Sequence, residues 1–487
     1  MIAVVIYALL WAVSAMIEEM PVPPKLMSCF ESHYKRKNVS SIDPEKINFA
    51  CTQKYVYTQI DHPALNLSQE AKEWMKRLII IPNHRRKRQN LRIRREYRRL
   101  SDQERDQFHN AIIALKVDTS ISPNRYDVMA TFHRLLGDRA HYGPAFLGWH
   151  RVFILMFENA LREKFPSVTL PYWDSTMDES LPRPSQSVIW GSRFMGNGNG
   201  VVRMGPFAFW QTPVGPLIRS VGTRGNTFRL QDILRVLSRS RSSEISQPMA
   251  ENTPFDFEDL HGDVHRFVGG QMAPLDTSPH DPIFYLHHTY IDYVWEVFRR
   301  NQRRRGIDPS SDYPLSSDPL HAPQSPIGLL ALRNIDGYSN VFTSRVYTYE
   351  VHPTCTTLSP NCNSQYLRCA TQYSPPRCVT KTFLESPRFG RKRRSVISVG
   401  IDSNQTLLSI KSDPIEAVAP HELSLPDGYS YCKELRNEKF NIQLTPADSP
   451  FDVSSHLASA CMRLDHDFNV LTKDNRVRFC YRNCSTL

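Results

Sequence analysis

Histidines cluster against the most apolar stretches of this 487-residue sequence, in one group upstream and one downstream. His261 and His265, in LHGDVHRF, stand four apart, so on a helix both project from one face and can reach one metal ion. Such a pair arises easily by chance. The next segment, TSPHDPIFYLHHTYIDYVW at 277–295, adds His287 and His288 at the head of an apolar helix. Adjacent imidazoles at the head of a buried helix need partners, because an unpaired ring nitrogen is costly in a core. Upstream, His141 and His150 flank YGPAFLGW, a turn leading into WHRVFILMFENALREKF at 149–165, the clearest helix in the chain. His133 precedes them on a helix predicted from Asn124 to its stop at Gly137. Three imidazoles on each side, all beside apolar helices, describe two metal sites inside a helix bundle.

The donor type narrows the metal. Imidazole suits copper and zinc, and neither group brings a thiolate or a ligand-spaced carboxylate pair. A zinc-protease reading of the His261–His265 pair would need Glu at position 262, which is Gly. The Glu-x-x-His sets of di-iron bundles are also missing.

HYGPAFLGWHRVFILMFENAL and LHGDVHRFVGGQM, followed by SPHDPIFYLHHTYIDYVWEVF, resemble the two copper-binding signatures of tyrosinases, catechol oxidases and haemocyanins. The likeness runs from about Arg92 to Tyr349. NIDGYSNVFTSRVYTYEVHPTC and RIRREYRRLSDQER look most like secreted tyrosinase-like proteins of molluscs, some of them shell-matrix components. The resemblance implies two copper ions, with O2 as co-substrate. One would lie on His133, His141 and His150, the other on His261, His265 and His288. His287 would then stand behind the ligands. Glu258 is the candidate carboxylate to hold a catalytic water, against a plain reading as a helix N-terminal charge. Phe284, one turn before His288, is the candidate aromatic over the first copper, against ordinary core packing. His109, His280 and His352 are read as surface or packing residues.

The implied fold is mainly α: a type-3 di-copper four-helix-bundle core with long loops, a few short strands and a cysteine-rich C-terminal extension. The expected divisions are a signal peptide at 1–15, a leader at 16–90, the copper-binding domain at 91–351 and the extension at 352–487. A capping box at Ser101–Glu104 starts one helix, and residues 171–228 are read as loop. Residues 335–349 alternate enough to suggest strands, whereas the tail reads as irregular. MIAVVIYALLWAVSA is short and ends in small residues, as an export signal does. Ten cysteines, none between Cys51 and Cys355, suit disulfides in a secreted chain. Sequons open at Asn38, Asn66, Asn404 and Asn483, as in a glycoprotein.

A net charge of +11 invites a nucleic-acid reading, but no binding motif accompanies the basic runs at 84–99 and 390–395. RRKR at 85–88 and RKRR at 391–394 also fit processing sites, and a basic surface suits acidic matrix polymers. No segment reads as a membrane span. The resemblance therefore implies a secreted oxidoreductase acting on phenolic or catecholic substrates, with extracellular matrix proteins as partners. Its quinones would cross-link, tan or pigment a matrix. The alternatives are a weakly active or inactive shell-matrix protein and a haemocyanin-like oxygen carrier. Two departures from the family pattern matter. Arg139 stands where some members carry a thioether-forming Cys. Gly262 stands where strong monophenol hydroxylases carry Asn, which favours diphenols over monophenols.

Overall fold

The computed structural model describes residues 22–34, 67–79 and 91–385 apart from 252, 329 and 330. It also describes scattered positions at 44–55 and short strands between 398 and 481. The export signal, the four sequon asparagines, residues 85–88 and 391–394, and the side chains of the last four cysteines lie outside the described residues.

The chain divides into two units, 1–64 and 65–487. In the first, helix α1 (Pro24–Tyr34) carries Cys29, which is bonded to Cys51.

The second unit opens with α2 (Gln69–Leu78), a helix in a stretch where the sequence showed no strong periodicity. Ser68 caps it, and Ala71, Trp74, Met75 and Leu78 form its buried face. Trp74 is fully buried and donates through its indole N–H to Glu163 at 2.9 Å. Next come α3 (Asp102–Val117), α4 (Arg125–Leu135), the single turn α5 (Gly137–Ala140) and α6 (Ala145–Lys164). After a long irregular stretch follow α7 (Leu230–Ser238), α8 (Phe257–Val268) and α9 (Ile283–Arg304). The fold is mainly α, as expected. Residues 171–228 hold only single 3-10 turns and strands of two or three residues.

Local chemistry accounts for the helix starts. Ser101 accepts from the Glu104 N–H at 3.2 Å while the Glu104 carboxylate accepts from the Ser101 N–H at 2.9 Å, so two orphan donors are satisfied. Ser101→Ala is expected to cost about 1 kcal/mol, read as a lower urea midpoint with unchanged slope. Asn124 and Asp256 cap α4 and α8 by the simple bond alone, their side-chain oxygens accepting from N–H groups of the first turn. Gly137 does not end the region as expected; α4 stops at Leu135 and Gly137 begins the next turn.

Helices α6 and α9 are buried around almost their whole circumference and pack against one another at the centre. Tyr285 stacks on Phe157 between them at 3.4 Å between ring centres. A charge network lies further along the same seam. Arg151, next to His150, donates to Asp292 at 2.7 Å, and Asp292 also accepts from the Tyr347 and Tyr349 hydroxyls. Arg94 binds Glu158 at 2.9 Å and reaches Asp292 at 3.5 Å.

Of the strands expected in 335–349, only Tyr347–Tyr349 forms one, pairing in parallel with Arg92–Arg94. Asn334–Tyr338 is a 3-10 helix and Phe342–Val346 a π turn, so the apolar residues there follow helical spacing. Beyond them, Cys355–Cys369 and Cys362–Cys378 staple the hairpin Leu367–Ala370/Arg377–Thr380. The tail is less irregular than its sequence suggested. Phe468–Lys473 pairs antiparallel with Arg476–Tyr481, which also pairs with Ser398–Gly400. Leu407–Ile410 pairs with Phe440–Gln443.

Candidate metal centre

Four helices bring the histidines together. His133 lies in the last turn of α4, His141 just past α5, and His150 six residues into α6. All three are at most 2% exposed, and their ligand atoms lie within 4.8 Å of one another. His133 Nε2 is 3.3 Å from His150 Nε2. On the opposite side, α8 presents His261 and His265 from one face, and α9 presents His287 and His288.

Both members of the His287–His288 pair approach α8, and they do so differently. His287 joins His261 and His265 in a set whose ligand atoms lie within 4.8 Å. His288 Nε2 comes much closer, 3.3 Å from His261 Nε2 and 3.2 Å from His265 Nε2. Two nitrogens bound to one ion at about 2.0–2.1 Å in tetrahedral geometry stand about 3.3 Å apart. The nitrogen-to-nitrogen geometry therefore favours His288 over His287 as the third donor. The His287 ring lies parallel to His261 at 5.3 Å, behind it.

Tautomers decide what such a cluster can hold. The Nδ1 atoms of His141, His150, His261 and His265 donate to the carbonyls of Gly137, Phe146, Glu258 and Met272 at 2.8–3.1 Å. Each ring therefore carries its proton on Nδ1 and turns a bare Nε2 lone pair inward. The His133 ring is supported by the Leu275 backbone. The Nε2 atoms of His150, His261 and His265 meet those of His133 and His288 at 3.2–3.3 Å, the separation of two nitrogens sharing one ion. The residues fit a metal bound by neutral imidazoles, and the all-nitrogen donor set fits copper.

Burial keeps these rings neutral. Desolvation first, and mutual repulsion of the rings second, push His133, His150, His261 and His288 well below the ordinary imidazole range. His141 is lowered to about 3 and His265 to about 4, again mainly by burial. A group lowered on folding adds stability that is complete above its unfolded pKa and is lost as pH falls toward its folded pKa. The loss therefore begins near pH 6.5, at about 1.4 kcal/mol per pH unit for each histidine that the unfolded chain protonates. The copper-free protein is expected to melt far lower at pH 5 than at pH 7.5. Equal melting temperatures at the two pH values would show that the rings titrate freely.

The two groups meet at one point. The His150 and His288 rings stack at 4.2 Å with 15° between their planes. Phe284, fully buried, lies 4.1 Å from the His288 ring and 5.1 Å from His133, so it touches both groups. Phe146 does the same from the other side, 4.8 Å from both His150 and His261. The sequence reading missed Phe146, although its place in YGPAFLGW, one turn before His150, was the available signal. Glu258, in the first turn of α8, accepts from the Tyr142 N–H at 2.7 Å, next to His141. His109, His280 and His352 lie away from the centre, bound to the Tyr97 hydroxyl, Asp127 and Asp174.

Comparison with known proteins places this geometry. The family model for the common central domain of tyrosinase matches residues 123–301, which hold every histidine of the centre. A tyrosinase of Streptomyces lincolnensis is 34% identical over 254 residues, covering 46% of this chain and 88% of that protein. The chain belongs to the tyrosinase family. Tyrosinase-like protein 1 of Margaritifera margaritifera is 35% identical over 364 residues, 71% of this chain and 68% of its own length. A tyrosinase-like protein of Caenorhabditis elegans is 35% identical over 307 residues, and the match spans only 43% of that longer protein. This tyrosinase-family chain thus carries the two histidine groups suited to a pair of copper ions.

Proposed function

We propose that this protein is a secreted phenol oxidase that uses O2 to convert o-diphenols to o-quinones. The observation that carries the reading is the pair of three-imidazole groups meeting at the stacked His150 and His288 rings. His133, His141 and His150 would hold one copper, and His261, His265 and His288 the other. Copper bound there supplies the redox chemistry, so that two diphenols become quinones while one O2 is reduced to two waters.

The chain's own residues fix geometry and access. The carbonyl bonds to Nδ1 hold four rings in one tautomer, and Phe146 and Phe284 pack against them from either side. One Glu258 oxygen is committed to the Tyr142 N–H, so its first role is to hold the turn that carries His141. Holding a catalytic water remains a further proposal for the same carboxylate. An aromatic substrate would approach along ring faces and edges of the kind Phe146 and Phe284 present.

Gly262 follows His261 directly, and a Cβ built on it meets nothing within 4 Å. A side chain can therefore start from position 262 without a clash, and the absence of Asn there fits a diphenol preference. Gly262→Asn is expected to raise tyrosine oxidation relative to L-DOPA oxidation without loss of stability. An unchanged ratio would remove position 262 from the argument.

Three disulfides among the described residues support an oxidising compartment. No described helix is long and apolar enough to cross a membrane. Quinones released outside the cell would cross-link or pigment a protein matrix, and a net charge of +11 suits acidic matrix polymers. The test is O2 uptake by copper-loaded protein on L-DOPA and on tyrosine. Uptake on L-DOPA supports the reading; copper binding without uptake on either would contradict it.

A further inference from the structure

The turn His141–Tyr142–Gly143–Pro144 delivers one imidazole of the first group, and it does so without a covalent tether. Arg139 stands two residues before His141 and donates to the Pro326 carbonyl at 2.9 Å. The turn is not relaxed. Tyr142 has φ 65°, the left-handed region that side chains with a Cβ avoid at a cost of about 1–3 kcal/mol. Something outside the turn must hold it.

Three contacts do so. Glu258 accepts from the Tyr142 N–H at 2.7 Å, and the Tyr338 hydroxyl donates to the Pro144 carbonyl at 2.9 Å. The third is steric. The His321 imidazole lies so close over Gly143 that a Cβ there would come within 2.5 Å of its Cγ and Nδ1. His321 is 1% exposed and ends the short 3-10 helix Pro319–His321. That helix is itself fixed. Tyr313 donates to the His321 carbonyl at 2.9 Å, and the Asn334 amide donates to the carbonyls of Leu320 and Ala322 at 2.8 and 2.9 Å.

His321 is not a member of either metal-facing group. Its Nδ1 has no hydrogen-bond partner among the described residues, so the ring is not placed there by a bond at that atom. The ring hydrogen-bonds to the backbone of His141 and Asp138 and makes a close-packed wall against a glycine that admits nothing larger.

We propose that His321 is a positioning residue for the first copper: its buried ring, seated on Gly143, clamps the turn that aims His141. The proposal rests on His141 being a ligand of that copper. Supporting groups behind metal ligands typically contribute about 10–100-fold in metal affinity.

The test measures copper release to a chelator from the full chain in a His261→Ala background, where only the first copper remains. His321→Ala is expected to speed release about 10–100-fold. Gly143→Ala should do the same, because its methyl collides with the ring. Since the Gly143 methyl acts only by colliding with the ring that His321→Ala removes, the double variant should release copper no faster than the worse single variant. Unchanged release in Gly143→Ala, or effects that multiply in the double variant, would overturn the clamp. Melting of the copper-free variants checks folding. If Gly143→Ala does not fold, His321→Ala decides alone, and wild-type release from it refutes the proposal. A wild-type chain that binds no copper would contradict the metal centre itself, and the clamp with it.

Discussion

Asp292→Ala is expected to destabilise the protein by about 3–5 kcal/mol, the usual cost of removing one partner from a buried ion pair. Asp292 is 3% exposed and accepts from Arg151 at 2.7 Å and from the Tyr347 hydroxyl at 2.6 Å, with Tyr349 and Arg94 completing the set. Burial alone would raise its carboxyl pKa. The charges of Arg151 and Arg94 and the two hydroxyls instead hold it below the ordinary range. Removing it leaves Arg151, 0% exposed, with Glu296 as its remaining carboxylate partner. Asp292→Asn keeps acceptors for the tyrosines and should cost less than the alanine change. Urea unfolding of the copper-free protein measures both. A shift under about 1 kcal/mol for Asp292→Ala would mean the network is no stronger than a surface pair. The position has a second consequence. Asp292 lies one turn after His288 and Arg151 directly after His150, so this pair fixes the register of the two helices whose imidazoles stack.

The second large effect is on activity. His261→Ala is expected to lower bound copper from two ions per chain to one and to abolish O2 uptake on L-DOPA. His261 Nε2 faces His288 Nε2 at 3.3 Å and its Nδ1 is bound to the Glu258 carbonyl, so its loss removes one of the three closest nitrogens. Two remaining imidazoles make a poor site, whereas His133, His141 and His150 keep theirs. His287→Ala is the informative companion. His287 lies behind His261 rather than pointing into the closest nitrogen set, so its loss should leave two coppers bound. If His287→Ala loses one copper and His288→Ala does not, the two residues exchange roles.

Much of the site was legible because metal chemistry leaves a spacing that survives without coordinates. His261 and His265 at four apart, and His150 at the head of an apolar helix, point inward for reasons of helical geometry alone. The helix over Ile283–Arg304 was equally plain, since apolar residues cover nearly all its faces. Other parts were not legible. Gln69–Leu78 is half charged, and only Ala71, Trp74, Met75 and Leu78 mark its buried side. Residues 335–349 alternate like a strand but coil as a 3-10 and a π turn, a case where short apolar runs do not distinguish the two periods. Two residues, Asp474 and Asn475, separate the alternating runs Phe468–Lys473 and Arg476–Tyr481, a hairpin signal that the sequence reading passed over. His321 could not have been found from sequence. It lies 180 positions from His141, and its role follows from contact with Gly143 in three dimensions.

The most direct test of the account is the copper content of the purified full-length chain after loading and removal of weakly held metal. Two buried imidazole triads predict two copper ions per chain, falling to one in His261→Ala and to one in His150→Ala. A single ion in the wild type, or two ions still held by either variant, would contradict the di-copper centre.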